Sequence, residues 1–128
     1  MSLMTILAIA LGGAIGALGR FGLSNWFNSF IQIHHTVHIG TLLVNIIGSF
    51  LMGFLYVTII ERELLQPEWR SVLMVGMLGA FTTFSTFSIE AINFFERGHP
   101  WLALTYVVAS VVFSLLAAGL AIHLARAI

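Results

Sequence analysis

The sequence predicts an all-α integral membrane protein that crosses the bilayer four times. Hydrophobic residues make up 59% of the 128-residue chain and charged residues only 8%, whereas a soluble domain usually has about 25% charged residues. Only helices and closed barrels satisfy their backbone hydrogen bonds in lipid. The apolar runs of this chain are long and unbroken, whereas barrel strands alternate polar and apolar residues over about ten positions. The fold class is therefore four transmembrane helices.

Charged residues and turn signals divide the chain into four apolar runs, each near the roughly 20 residues that a spanning helix needs. The predicted helices cover about 4–27, 39–60, 72–95 and 101–125. Short connections join them, so we treat residues 1–128 as a single membrane domain. The first run has no basic segment before it and no clear cleavage pattern, so we expect a retained helix and not a signal peptide.

The charge and cysteine content exclude several partners and chemistries. The chain carries five basic and five acidic side chains, for a net charge of zero. It has no basic or acidic tail, so no nucleic-acid partner is expected. It also has no cysteine, which excludes disulfides, thiolate catalysis and cysteine-bound metals.

The arginines select no single orientation in the membrane. Four helices put both termini on one side, together with Arg62, Arg70 and Arg126. The other side has Arg97, and also Arg20 if that side chain reaches the interface. Orientation follows the excess of Lys and Arg on one side, and this excess is small. A protein that inserts in both orientations has the same pattern.

The first helix carries Gly12, Gly16 and Arg20 on one stripe. A G-x-x-x-G spacing lets helix backbones approach closely, so we interpret Gly12 and Gly16 as structural. Arg20 lies toward the end of the apolar run. It either snorkels to the interface or has a structural or ion-facing role.

Polar stripes mark the second and fourth helices, because residues four apart share one helix face. The stripes are Thr41, Asn45 and Ser49 on the second helix, and Tyr106, Ser110 and Ser114 on the fourth. An amide as deep as Asn45 either links helices or donates to a ligand. A lone hydroxyl usually bonds a carbonyl of its own helix, but several aligned stripes favour a shared polar path.

The third helix carries the densest polar stretch of the chain, between Gly76 and Glu90. Its hydroxyls and interleaved rings are Thr82, Thr83, Ser85, Thr86 and Ser88, with Phe81, Phe84 and Phe87. Polar groups inside a membrane survive where they line a cavity or are buried in protein. Gly76 and Gly79 weaken the helix near its centre. A break there would free backbone carbonyls that suit a cation such as sodium.

The polar groups of this path favour a small anion. Hydroxyl and amide groups donate hydrogen bonds, and a phenyl ring has a positive edge. No ring of carboxylates is present to form a cation filter. The alternative for Phe84 and Phe87 is ordinary contact with lipid or core. The competing function is a proton-coupled small multidrug-type exporter that uses Glu90, the acidic residue deep in a helix.

The histidines do not favour a metal site. His34, His35 and His38 fall in the first connection, with no carboxylate or cysteine nearby. Such a group lacks the ligand set of a typical zinc site. An intramembrane hydrolase is not favoured either, because no histidine or aspartate is placed to activate a serine.

Three blocks of the sequence occur together in one known family. The third-helix block reads Gly76-x-x-Gly79-x-x-Thr82-Thr83-Phe84-Ser85-Thr86-Phe87-Ser88-x-Glu90. The second-helix block reads Gly40-Thr41-Leu42-Leu43-Val44-Asn45-Ile46-Ile47-Gly48-Ser49. The first-helix block reads Gly12-Gly13-x-x-Gly16-Ala17-x-x-Arg20. With these blocks in this order, the chain resembles the Fluc (CrcB-type) fluoride channels, and the resemblance covers essentially the whole chain.

The resemblance implies a channel and not an enzyme. Members of this family form antiparallel, dual-topology homodimers in the inner (cytoplasmic) membrane, with lipid around them and two fluoride pathways. They let fluoride leave the cell passively, which lowers cytoplasmic fluoride and confers resistance. The family also implies a structural sodium ion at the dimer interface, held by the backbone carbonyls of Gly79 and Thr82 at a break in the third helix. No organic cofactor is expected.

The resemblance also implies roles for individual residues. Phe84 and Phe87 would be the fluoride-facing rings, with Asn45 as the amide donor. The other residues of the implied pathway are Ser85, Thr86, Ser88, Glu90, Tyr106, Ser110 and Ser114. Arg20 would be the first-helix arginine of the family. One departure is Phe21, where many members have a tyrosine.

Overall fold

The computed structural model describes residues 2–31 and 39–128. The connection with His34, His35 and His38 lies outside the described residues, so the interpretation of these histidines stays a prediction.

The described chain is helical, with five helices in four spans. They are α1 (Leu3–Phe30), α2 (Gly40–Glu61), α3 (70–81), α4 (Phe84–Glu96) and α5 (Pro100–Ala127). The end of α2 (Tyr56–Glu61) and the start of α3 (Arg70–Leu78) are π-helical. Both π-helical segments flank the same turn.

Four segments of the described chain are long and apolar enough to cross a membrane. They are Leu3–Phe30, Gly40–Glu61, Arg70–Glu96 and Pro100–Ala127, with mean hydropathies of 1.7 to 2.3. At most 28% of the most apolar window in any of them is buried inside the chain, so most of this apolar surface must face lipid or another protein chain. The prediction of an all-helical protein with four spans is confirmed.

Local sequence signals explain where several helices begin. The Ser2 hydroxyl accepts a hydrogen bond from the Thr5 amide at 3.1 Å and caps α1, as serine typically does. Pro100 opens α5, where its missing N–H costs nothing. The Thr83 hydroxyl caps α4 by accepting from the Thr86 amide at 3.2 Å.

The third span passes from α3 to α4 through two residues in extended conformation. Thr82 has φ −82° and ψ 156°, and Thr83 has φ −149° and ψ 121°. The Thr82 amide still donates to the Leu78 carbonyl at 3.0 Å, whereas the Thr83 amide leaves the helical hydrogen-bond pattern and needs another partner. This connection places Thr82, Thr83 and the first turn of α4 beside α2 and α5.

Glycines let α1 pack directly on the backbone of α3. A Cβ built on Gly12 would lie 2.7 Å from the Val72 carbonyl oxygen, and one on Gly76 would lie 2.8 Å from the Ile9 oxygen. At Gly16 the added atom would meet the Met77 carbonyl group. Close backbone approach through small residues is the usual way in which membrane helices associate.

An aromatic cluster fixes α4 against α5. Phe87, Phe94, Ala103 and Tyr106 are buried together. The Tyr106 ring lies 5.6 Å from that of Phe87 and 5.4 Å from that of Phe94, centroid to centroid. These distances are within the range of favourable aromatic pairs, so the cluster holds the Tyr106 hydroxyl at a defined position between the two helices.

Candidate functional site

A cavity of about 370 Å³ lies between α2, α4 and α5. Predicted residues form much of its wall: Asn45, Thr82, Phe84, Phe87, Ser110 and Ser114. Ser49, Thr83 and Met52 also line it. The fold therefore brings side chains of α2 together with side chains of α4 and α5, which lie about 40 to 70 positions later in the sequence.

Asn45 holds the extended backbone of the third span. Its Oδ1 accepts from the Thr83 amide at 2.8 Å, and its Nδ2 donates to the Thr83 carbonyl at 2.9 Å. The bond to Oδ1 replaces the one that the Thr83 amide would have made to the Gly79 carbonyl in a continuous helix. Nδ2 carries two hydrogens, and no described residue accepts the second. Asn45 thus links two helices and also retains a donor at the cavity wall.

The two predicted phenylalanines differ in burial. Phe87 is 8% exposed and packs in the aromatic cluster, whereas Phe84 is 77% exposed. Their rings lie 5.3 Å apart at 53° to one another. One ring is therefore fixed by its own chain, and the other projects outward from the cavity wall.

Ser110 is the buried hydroxyl that the described residues leave unpaired. Its side chain is 6% exposed, it lines the cavity, and its Oγ has no partner in the described part of the chain. Leaving a buried hydroxyl without a hydrogen bond costs about 1–3 kcal/mol. A ligand that accepts from Ser110 would recover this free energy.

Glu90 is held by hydrogen bonds to two other helices. Its Oε1 accepts from the Thr41 hydroxyl at 2.9 Å, and its Oε2 accepts from the Tyr106 hydroxyl at 2.5 Å. Thr41 and Tyr106 are each 5% exposed. Bonds to a carboxylate are stronger than those between neutral groups, so this group links α2, α4 and α5.

Thr83 lies between the cavity and a smaller one that leads to Thr41. The smaller cavity, of about 230 Å³, is lined by Arg20, Thr41, Thr83 and Thr86, among others. The Thr83 hydroxyl donates to the Thr86 hydroxyl at 3.1 Å. Thr83 and Thr86 therefore share the smaller cavity with Thr41, which bonds Glu90, and half-buried Arg20 adds a positive charge beside them.

Comparison with known proteins identifies the family. Residues 7–122 match the family model described as CrcB-like protein, Camphor Resistance (CrcB). The chain belongs to the CrcB family. The resemblance read from the three sequence blocks is thereby confirmed.

Curated relatives are similar to this CrcB-family chain along nearly its whole length. A protein from Saccharophagus degradans is 51% identical over 96% of this chain and 90% of its own. One from Stutzerimonas stutzeri is 43% identical over 93% of this chain and 94% of its own. One from Hahella chejuensis is 41% identical over 100% of this chain and 99% of its own. Each is named fluoride-specific ion channel FluC.

Some predicted residues of the CrcB-family site lie away from the cavities or bond within their own helix. The Ser88 hydroxyl donates to the Phe84 carbonyl at 2.8 Å, and the Thr82 hydroxyl donates to the Leu78 carbonyl at 3.0 Å. Ser85 is exposed on α4, with its hydroxyl 3.3 Å from that of Thr83.

No sequence signal directly identifies the partners of Asn45 and Glu90. Thr83 was visible within a run of hydroxyls, and Thr41 was visible on the Asn45 stripe. Neither position indicated that the Thr83 backbone bonds Asn45 or that the Thr41 hydroxyl bonds Glu90. The stripe spacing carries a partial signal, because Thr41 and Asn45 must face the same neighbour.

Proposed function

We propose that this CrcB-family chain is a fluoride-selective channel. It lets fluoride cross the cytoplasmic membrane passively, which lowers cytoplasmic fluoride and confers resistance to it. The names of relatives that are 41% to 51% identical across almost the whole chain support this function. A channel that moves an ion down its gradient is a transport protein and not an enzyme.

The observation that carries the proposal is the chemistry of the cavity between α2, α4 and α5. Asn45 has a spare amide N–H there, Ser110 has an unpaired buried hydroxyl, and Phe84 and Phe87 supply aromatic rings with positive edges. Among residues 2–31 and 39–128, no carboxylate lines this cavity. A small hydrated anion needs several such donors to replace its water, and the absence of a full positive charge lets it leave again. The choice of fluoride among small anions rests on the names of the relatives.

The proposed pathway begins at this cavity and continues past Thr83 and Thr86 toward Glu90. Asn45, Phe84, Phe87, Ser110 and Ser114 would contact fluoride first. Thr86, Glu90 and Tyr106 would follow, with Ser85 and Ser88 as further hydroxyls on α4.

The proposed active form is an antiparallel homodimer in the inner membrane, with each chain crossing the bilayer several times. Phe84 is a proposed pathway residue, yet it is 77% exposed on the surface of a single chain. A second copy facing it would complete the wall of the cavity. Lipid would cover the remaining apolar surface of both chains.

We also propose a structural sodium ion at a functional break in the third span, where two carbonyls lose their usual donors. In a continuous helix the Thr83 amide would bond the Gly79 carbonyl, and the Thr86 amide would bond the Thr82 carbonyl. Here those amides donate to Asn45 and to the Thr83 hydroxyl instead. Carbonyl oxygens suit a hard cation, and two such oxygens from each protomer would hold sodium between the two copies.

Fluoride efflux from liposomes that contain the purified protein tests the function. We expect fast fluoride movement and negligible chloride movement, without ATP and without an imposed proton gradient. Equal chloride flux, or no flux of either ion, would contradict the proposal. Flux that requires a proton gradient and is lost in Glu90→Gln would favour the exporter instead.

A further inference from the structure

A cavity of about 550 Å³ lies apart from the proposed pathway, at the turn between α2 and α3. Its apolar wall includes Ile59, Ile60 and Leu64, and its polar wall includes Glu63, Gln66 and Arg70. The turn joins two membrane spans that end at Glu61 and begin again at Arg70. The cavity therefore lies where apolar and polar surroundings meet, which is the depth of lipid headgroups.

Two side chains of opposite charge line this cavity without forming an ion pair with each other. Glu63 and Arg70 are both exposed and both form part of the wall. Among residues 2–31 and 39–128, the ion pair present joins Glu61 to Arg126, so Glu63 and Arg70 do not form one. A ligand with a negative and a positive group could contact both side chains at once.

Glu63 occupies a backbone conformation that normally belongs to glycine. Its φ is +50°, and it is the non-glycine residue with positive φ in the described chain. The next amide, that of Leu64, donates to the Thr58 carbonyl at 3.0 Å and closes the π-helical end of α2. Glycine, or sometimes asparagine, is the common choice at such a helix end. A strained glutamate that faces a cavity indicates a use for the carboxylate.

We propose that this cavity binds the headgroup of phosphatidylethanolamine. The phosphate would contact Arg70 and Gln66, the ammonium would contact Glu63, and the acyl chains would lie along Ile59 and Leu64. Leu64 is 64% exposed, and Trp69 in the same turn is 46% exposed, as is typical of side chains at a membrane interface.

The charges favour this headgroup over the other common ones. A primary ammonium has three N–H donors for the Glu63 carboxylate, whereas the quaternary ammonium of phosphatidylcholine has none. Phosphatidylglycerol has no cation for Glu63. The proposal needs only that the protein is in a membrane, so its failure would leave the fluoride proposal untouched.

Thermal unfolding of the purified protein in detergent tests the site, with each of the three lipids added at the same mole fraction. We expect phosphatidylethanolamine to raise the melting temperature by roughly 5 °C and the other two to raise it less. We also expect its apparent affinity to exceed that of phosphatidylcholine by about tenfold, the factor of one charge-assisted hydrogen bond. Equal shifts with all three lipids would overturn the proposal.

Substitutions of Glu63 and Arg70 test which headgroup charge each side chain contacts. Glu63→Gln should remove the preference for phosphatidylethanolamine over phosphatidylcholine, and Arg70→Gln should weaken the effect of all three lipids. Glu68→Gln changes a carboxylate of the same turn that does not line the cavity, and should keep the preference. A preference that survives Glu63→Gln would contradict the assignment.

Glu63→Gly separates lipid binding from a purely structural role. Glycine adopts positive φ without strain, so this variant should melt at the same or a higher temperature than the parent without lipid. It should nevertheless lose the extra stabilisation by phosphatidylethanolamine. A lower melting temperature without lipid would show that Glu63 is structural.

Discussion

Asn45 shows how one side chain in a membrane can support a fold and still face a ligand. Its two bonds to Thr83 hold the extended residues between α3 and α4, and its second N–H remains at the cavity. Only an amide does this, because it accepts on one atom and donates twice on the other. Aspartate can accept but not donate when ionised, and leucine can do neither.

We predict that Asn45→Asp abolishes fluoride flux. The carboxylate would still accept from the Thr83 amide, but it would face the Thr83 carbonyl without a donor and would add a negative charge to an anion site. Liposome efflux measures this loss.

The matched control is Asn93→Asp, which makes the same change in α4 away from the cavities. It should keep the flux of the parent. Normal flux in Asn45→Asp would remove Asn45 from the proposed pathway.

We predict that Phe84→Ile also abolishes fluoride flux, at a smaller cost in stability than Phe87→Ile. Phe84 is exposed and pairs with one ring, whereas Phe87 is buried and pairs with Phe84 and Tyr106. Each aromatic pair contributes about 1 kcal/mol beyond its buried area. Flux and melting temperature measured on both variants test the prediction. A Phe84→Ile channel that conducts fluoride normally would show that this ring only contacts lipid or core.

At the scale of the helices, glycine spacing decides how closely α1 and α3 pack. Gly16 lies against the Met77 carbonyl group, whereas Gly22 of the same helix has no atom within 4 Å of an added Cβ. The two positions offer the same substitution in the same helix with opposite surroundings.

We predict that Gly16→Ala destabilises the protein by about 1–3 kcal/mol, because the added methyl forces α1 away from α3. Gly22→Ala should be neutral or stabilising by up to about 1 kcal/mol, because alanine favours the helix. Thermal or denaturant unfolding of both variants distinguishes the positions. Equal effects of the two substitutions would show that this close contact does not matter.

At the scale of the whole molecule, two arginines gather at one end of the helices and much apolar helix surface is left exposed. Arg126 pairs with Glu61, and Arg62 donates to the Arg126 carbonyl at 3.0 Å, so these arginines lie at one end of the helices. Much of the apolar surface of α5 is exposed, including Leu104, Val108, Val111 and Leu115. A face of this kind must contact lipid or protein.

We predict that the chain inserts in both orientations. A C-terminal tag should then be reachable from both sides of the membrane in cells, because the arginine bias is weak. Glu68→Lys, which adds positive charge to the end that already carries Arg70, should shift the population toward one orientation. It should also lower fluoride flux, since the proposed antiparallel dimer needs chains in both orientations. A tag reachable from one side only would contradict dual topology.

The sequence predicted the spans better than the details of their ends. Four apolar runs gave four spans, and α1 extends to Phe30 where the prediction ended near residue 27. The π-helical segments Tyr56–Glu61 and Arg70–Leu78 were not predicted, because a π-helix differs from an α-helix in hydrogen-bond register and not in composition. The glutamate with positive φ at position 63 carries no sequence signal either, since glycine is the usual residue there.

The sequence alone determined that this is a four-span membrane protein of the CrcB family, because hydropathy and short motifs are local properties of the chain. The tertiary structure decided which polar groups find partners. Asn45 bonds a residue 38 positions away, and Thr41 bonds one 49 positions away, while Ser110 is left unpaired at the cavity. These outcomes depend on which helix faces meet. In a membrane interior without water, the packing of helix faces decides whether a polar group bonds another part of the fold or remains available to an ion.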